Sequence, residues 1–229
     1  MKIGLMTIAT GKAYQEYAYD LFESANSFFP EADQIVFTDS PSAFRLKTNA
    51  IYVDEMGYPE ATLFRYRTFL SKSWFLSSYD YLFYADADMQ FVRPVENIIY
   101  SDLVATLHPG YYKQKGTPET RSISTACCPD NRAYYCGGFQ GGSAERYLEA
   151  ARVMAANIEE DERNKVLAVW HDESHWNRYL RDVPPTQVLT PSYCYPEDYS
   201  GGYMWEPSDF PPILVALDKR KRGNHPRFQ

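Results

Sequence analysis

The first half of the chain alternates short, wholly apolar runs with longer stretches of helical periodicity, and that alternation leaves few folds open. KIGLMTIAT (residues 2–10) is too continuously apolar for a strand with one wet face. It precedes a stretch, residues 14–29, that carries Leu21, Phe22, Ala25 and Phe28 on one helical face. QIVFTD and AIYVD are further runs of the buried kind, residues 62–76 read as one helix, and YLFYADAD as the next strand. Strands buried on both faces and separated by helices require an α/β fold with a mostly parallel central sheet. Further on, DLVATLHPG reads as another strand and RAYYCGGFQGG as a strand running into a glycine-rich turn. A helix follows over 143–157, and HDESHWNRYLRD is a shorter one that Pro184 and Pro185 stop. No repeat or linker divides the 229 residues, which suit one large domain.

Charge and composition exclude several classes. A formal net charge of −7 argues against nucleic-acid or membrane binding across the whole surface. The exception is local: DKRKRGNHPRFQ, residues 218–229, holds five Lys or Arg against one Asp, either an anion site or a solvated end. No run of 18 apolar residues is long enough to span a membrane. Met1 and Lys2 lead straight into IGLMTIAT, too short for the apolar core of a signal peptide. The four cysteines, Cys127, Cys128, Cys136 and Cys194, lack zinc spacing and include an adjacent pair, so a reduced setting and a soluble, cytoplasmic protein are expected.

Three stretches could carry chemistry. YLFYADADMQF ends a buried strand on Asp86 and Asp88. Asp often leaves a strand by turning, but residues i and i+2 of an extended segment also point the same way, which would converge two hard oxygen ligands suited to Mn²⁺ or Mg²⁺. In AVWHDESHWNRYL, His171 and His175 have the spacing of a zinc hydrolase. However, Asp172 stands where that motif needs Glu, and no third ligand is evident. Asp172 could cap the helix, with Trp170 and His171 packed beneath. Alternatively, Asp172 and Glu173 form a tuned carboxylate pair among aromatics. YYCGGFQGGS lacks the Lys of a phosphate loop, yet its bare glycines could floor a sugar site.

Taken in order, ATGKAY, VFTD, DYLFYADADM, LHPGYY, YYCGGFQGGS and AVWHDESHWNRYL resemble glycosyltransferase family 6 along nearly the whole chain. This is the family of the histo-blood-group A and B transferases and α-1,3-galactosyltransferases, with soluble bacterial and phage members. The resemblance implies a single Rossmann-like GT-A domain over 1–229. Residues 1–107 would form its nucleotide-binding part, 108–217 its acceptor and catalytic part, and 218–229 a basic tail closing over the diphosphate. It further implies a UDP-sugar donor and transfer, with retention, to O3 of a β-galactoside oligosaccharide. The anchor and stem of the vertebrate Golgi enzymes have no counterpart, so a soluble microbial or phage enzyme is implied.

Carried over by position, Asp86 and Asp88 resemble the pair that holds Mn²⁺ against the diphosphate, with Ala87 near the ribose. Ile8, Ala9 and Tyr14 fall where the uracil is held. Arg65 aligns with an arginine reaching the donor, with Arg67 a near rival. Glu173 takes the place beneath the anomeric carbon, as covalent nucleophile or as stabiliser of an oxocarbenium-like ion pair. Asp172 resembles the ligand of the donor-sugar hydroxyls. Trp170 resembles an acceptor wall and His108 an acceptor hydrogen-bonding group, although a turn histidine is the competing reading. Cys136, Gly137 and Gly138 line the donor sugar, and the small Cys136 and Gly138 favour UDP-GalNAc over UDP-Gal. Lys221 and Arg222 are the diphosphate candidates in the tail, with Arg227 a third. The family's arginine-rich acceptor loop is represented only by TPETRSISTA, and Pro196–Glu197 replace an acceptor-binding Asp, so the acceptor is left open. A sugar-binding protein without turnover and a metal-dependent UDP-sugar phosphohydrolase are the alternatives.

Overall fold

The computed structural model describes residues 1–44, 48–200 and 202–222. Strand β1 (Ile3–Ile8) leads into helix α1 (Lys12–Phe28), then β2 (Ala32–Thr38) and β3 (Asn49–Tyr52). Short helices α2 (Glu60–Leu63), α3 (Arg65–Leu70) and α4 (Ser73–Leu76) precede β4 (Tyr81–Ala85) and β5 (Met89–Phe91). The chain continues through β6 (Leu103–Leu107), β7 (Tyr135–Ser143), α5 (Ala144–Arg163) and α6 (His171–Asp182), and ends in β8 (Gln187–Leu189), β9 (Tyr195–Pro196) and β10 (Leu214–Ala216).

Among the described residues, seven strands form one sheet in the order β3-β2-β1-β4-β7-β6-β8. All run the same way except β7, which is antiparallel to both its neighbours. This is the mostly parallel α/β sheet expected of a GT-A domain, and strands on either side of residue 107 share it. A second, small sheet, β5-β10-β9, stands beside it.

The period of two along the strands accounts for the double cover. Ile3, Leu5, Phe83 and Ala85 pack into the core formed with α1, around Tyr17, Leu21, Phe22 and Phe29. Their neighbours Met6, Ile8, Leu82 and Tyr84 face the opposite core with Phe69 of α3, Tyr147 and Met154 of α5, and Trp176 of α6. Each such buried Leu or Phe contributes about 1.5–3 kcal/mol relative to exposure.

Two expectations fail in instructive ways. The single helix over 62–76 is three helical pieces, broken at Phe64 (φ −95°, ψ 14°) and Lys72 (φ −125°, ψ 25°). The glycine-rich run is no turn: Gly137, Gly138, Gly141 and Gly142 all lie within β7. At Gly141 a Cβ would stand 2.3 Å from the Leu82 carbonyl oxygen, and at Gly142, whose φ is +147°, 2.2 Å from that of Asp102. Glycine is therefore the residue that lets β7 lie this close to the backbone on either side.

Candidate active site

β4 ends with Ala85 opposite Phe139 of β7, and the Asp86 N–H donates to the Gly138 carbonyl at 2.9 Å. Asp86, Ala87 and Asp88 lie in the tight connection to β5 rather than on an extended strand, because β5 peels away into the second sheet. Both carboxylates nevertheless line one cavity of about 680 Å³ together with Ile8, Tyr14, Arg65, Tyr84 and Ala87. Ala9 is fully buried behind that wall, its N–H donating to Phe37. Asp86 accepts from the Tyr84 hydroxyl at 2.8 Å and from Arg65 Nη2 at 3.2 Å, both on Oδ1.

Asp88 is held by Lys219, Nζ to Oδ2 at 2.8 Å. The Leu217 N–H donates to the Asp88 carbonyl at 2.9 Å, continuing the antiparallel pairing of Ala216 with Met89, and that register returns the tail to the acidic turn. Burial pushes the Asp88 carboxyl up against the opposing pull of Lys219. Burial works against the Lys219 charge, yet Asp88 holds its pKa above the ordinary lysine value. Lys219 also lines the cavity and lies 5.7 Å from the Tyr14 ring centre. It was hidden in the sequence among five basic residues, and only the strand register singles it out. Lys221 is exposed and does not line the cavity. The Arg222 side chain and Arg227 lie outside the described residues.

The second carboxylate pair arrives on α6. Trp170 is the N-cap residue, its N–H donating to Ser174 Oγ at 3.0 Å, and its side chain is 46% exposed. Asp172 is thus no helix cap, and Trp170 and His171 do not pack beneath it. His171 has φ +49° and sets its ring edge-on to Tyr58, 5.2 Å between centres. The turn sends Asp172, 1% exposed, inward to Arg65, with Nε to Oδ2 at 3.0 Å. Glu173 Oε2 accepts the Gly137 N–H at 2.9 Å. The Gly137 carbonyl in turn accepts from Arg65 Nη1 at 2.8 Å. A Cβ at Gly137 would come within 3.2 Å of Asp172 Oδ2, so the bare glycine is what admits the acid pair.

Arg65 is therefore the hub. One buried guanidinium reaches Asp86 on β4's turn, Asp172 on α6 and the backbone of β7. The acidic turn and the acidic helix, 86 positions apart at Asp86 and Asp172, face one another. The rival Arg67 is exposed and pairs with Glu159 and Glu162 of α5. Burial drives both Asp172 and Glu173 up to about 7, with Arg65 restraining the rise in each. Four carboxylates, Asp86, Asp88, Asp172 and Glu173, are set against two cations, Arg65 and Lys219, an excess of two negative charges when all four are ionised, and burial raises the pKa of three of them against that excess. Asp86 Oδ2 has no protein donor among the described residues. Hard oxygens with uncompensated charge suit one divalent cation. Among the described residues no group of three His, Cys, Asp or Glu side chains could hold a metal alone. Ligand oxygens would have to complete the coordination.

Around this centre lie the other expected groups. Gly138 leaves room that a Cβ would fill at 3.3 Å from Cys194 Sγ and 3.4 Å from Asp86 Oδ2, and Cys136 is buried two residues before it on β7. His108 Nδ1 accepts the Gly110 N–H at 3.1 Å, which is the turn role of the competing reading; burial lowers its pKa to about 4, so Nε2 keeps the proton as a donor. Trp170 Nε1 donates to Thr117 Oγ1 at 2.7 Å. Glu197 accepts the Asp218 N–H at 2.6 Å and so fastens the tail. His175 is buried 3.7 Å from Asp161 while His171 sits on Tyr58, so the pair does not converge as a zinc site. Tyr134, buried near Glu173, is a group sequence reasoning passed over, since nothing distinguishes it from its neighbour Tyr135.

Residues 1–204 match Glycosyltransferase family 6. The chain is 33% identical over 217 residues to the rat histo-blood group ABO system transferase 1, covering 87% of this chain and 62% of that protein. It is 32% identical over 214 residues to the human globoside alpha-1,3-N-acetylgalactosaminyltransferase 1, covering 85% and 61%. With the Escherichia coli O-antigen biosynthesis glycosyltransferase WbnI it shares 28% identity over 211 residues, 87% of this chain and 90% of that one. The chain thus spans less than two thirds of the mammalian relatives and most of the bacterial one. No helix among the described residues is long and apolar enough to cross a membrane. By the extent of that match, on a sheet and an acidic centre of the expected kind, the chain belongs to glycosyltransferase family 6.

Proposed function

We propose that this protein is a retaining hexosyltransferase that moves GalNAc, or Gal, from a UDP-sugar in α-1,3 linkage to a β-galactoside oligosaccharide, fucosylated or not. The observation that carries this reading is the Arg65 bridge, which brings Asp86 and Asp172 to one guanidinium and Glu173 to the adjacent Gly137. The relatives' names, alpha-1,3-N-acetylgalactosaminyltransferase and ABO transferase, support the chemistry.

Ile8 and Tyr14 form the uracil end of the cavity, backed by the buried Ala9, with Ala87 at the ribose. Asp86 and Asp88 would hold Mn²⁺ or Mg²⁺, which when bound offsets the charge that builds on the departing diphosphate. Lys219 adds a positive charge on the same side. Asp172, kept in place by Arg65, accepts from donor-sugar hydroxyls, and Gly137 and Gly138 leave the floor bare for the ring. Glu173 faces the anomeric carbon, either as nucleophile or as the charge that stabilises the oxocarbenium-like centre. His108 and Trp170 hold the acceptor. The small Cys136 and Gly138 favour a donor with an N-acetyl group.

The test is a product analysis with UDP-GalNAc or UDP-Gal, Mn²⁺ and lactose or 2′-fucosyllactose. Extended oligosaccharide supports transfer, with Glu173→Gln reducing kcat by orders of magnitude while UDP still binds. UMP and sugar 1-phosphate without extension would mean a phosphohydrolase, and bound sugar with no product a lectin; either refutes the proposal.

A further inference from the structure

Tyr134 is 1% exposed and rigidly packed. Its ring meets His108 at 5.6 Å and Tyr111 at 5.2 Å, both steeply inclined, and its carbonyl accepts the His108 N–H at 2.9 Å. Gly116 lies flat on the ring with φ +71°, where a Cβ would be 2.3 Å from the ring's Cγ. The loop thus reaches Tyr134 only because residue 116 has no side chain. All this packing fixes a hydroxyl that is fully buried and has no well-formed hydrogen bond. Leaving a buried hydroxyl unpaired costs about 1–3 kcal/mol. Asn177 of α6 bonds the backbone of Tyr135 at 2.9 and 2.8 Å and the Glu173 carbonyl at 2.9 Å, which holds the start of β7 against the turn that carries Glu173. After burial, Glu173 and Thr117 are the first groups to bear on the ionisation of the Tyr134 hydroxyl. Thr117 in turn accepts from Trp170 Nε1 at 2.7 Å.

We propose that Tyr134 is a positioning residue for Glu173: its O–H donates to the Glu173 carboxylate during turnover, while Thr117 ties that hydroxyl to Trp170 on the acceptor side. Glu173 then has two donors, the Gly137 N–H and the Tyr134 O–H. Together they fix its rotamer and favour its ionised form against the pull of burial, which a group reacting at a cationic carbon needs. The proposal rests on the transferase reading.

The experiment is steady-state kinetics of Tyr134→Phe, which keeps the ring and removes only the hydroxyl. A lost bond to a charged group lowers kcat by about 10–100-fold, with both KM values and UDP affinity within about two-fold of the parent. In a Glu173→Gln background the same change has little further effect, because the group it acts through is gone. Thr117→Val, one link further out, gives a smaller loss in the same parameter and serves if Tyr134→Phe does not fold. An unchanged kcat, a loss confined to KM, or an equal loss in the Glu173→Gln background overturns the proposal while leaving the transferase reading intact. Absence of transfer by the parent refutes both.

Discussion

Arg65→Met is the perturbation that most directly probes how this site is held together. The side chain keeps its length and apolar stem but loses the charge that joins Asp86, Asp172 and the Gly137 carbonyl. Removing one partner of a buried ion pair typically costs about 3–5 kcal/mol, because the other charge is left in low dielectric. For a domain of this size that corresponds to a fall in Tm of about 6–20 °C. The cost also depends on pH in a defined direction. Asp172 titrates at about 7 even with Arg65 beside it, well above its unfolded value, so the folded state binds more protons and stability declines as pH rises from the unfolded carboxyl pKa through the folded one. Without the guanidinium that folded pKa rises further, and the gap between variant and parent widens above about pH 7. Urea unfolding followed by tryptophan fluorescence at about pH 5.5 and pH 8 measures it. A variant within about 0.5 kcal/mol of the parent at both values, or a larger gap at the acidic one, refutes the assignment of Arg65 as the charge hub.

Three further outcomes follow from the same geometry. In the proposed reaction Glu173 acts as a carboxylate, and burial raises it to about 7, so kcat/KM rises with pH through a midpoint near 7 and the rate is lost as the group takes up its proton below it; a flat profile between about pH 5.5 and 8 contradicts this. Gly138→Val fills the space beside Asp86 and Cys194, and shifts the ratio of kcat/KM for UDP-Gal over UDP-GalNAc upward by about 10–200-fold, measured by competition between the two donors. Gly141→Ala places a methyl 2.3 Å from the Leu82 carbonyl oxygen, forces β4 and β7 apart, and lowers the free energy of unfolding by at least the ~1–3 kcal/mol typical of overpacking, read by denaturant titration.

Legibility in the sequence followed the range of the interaction. β1, α1 and α6 stood out because their periodicity is written in consecutive residues; α6 begins at His171 and ends at Asp182, just before the prolines that were expected to stop it. The two acidic motifs were recognisable for the same reason. β7 was misread because glycines carry no period, and the clash that requires them comes from Leu82 and Asp102, far away in the chain. The turn at Asp86–Asp88 was taken for an extended strand end because the second sheet that draws β5 aside is built with β10, more than a hundred residues later. Lys219 was passed over for Lys221 on the same account, since the pairing of Ala216 with Met89 decides which lysine faces the acids.

The lone reversed strand has one more implication. β7 begins at the edge of the sheet where its parallel neighbours finish, so Gly137 and Gly138 meet the terminus of β4 from the opposite heading, and the pairing of Ala85 with Phe139 acts as an index mark between the two. Sliding either strand by a single position would swap which face each glycine offers and carry the bare patch off the acids. Insertions and deletions are thereby barred from these two strands and channelled into the stretch between β6 and β7. A change of length there leaves the index mark where it is.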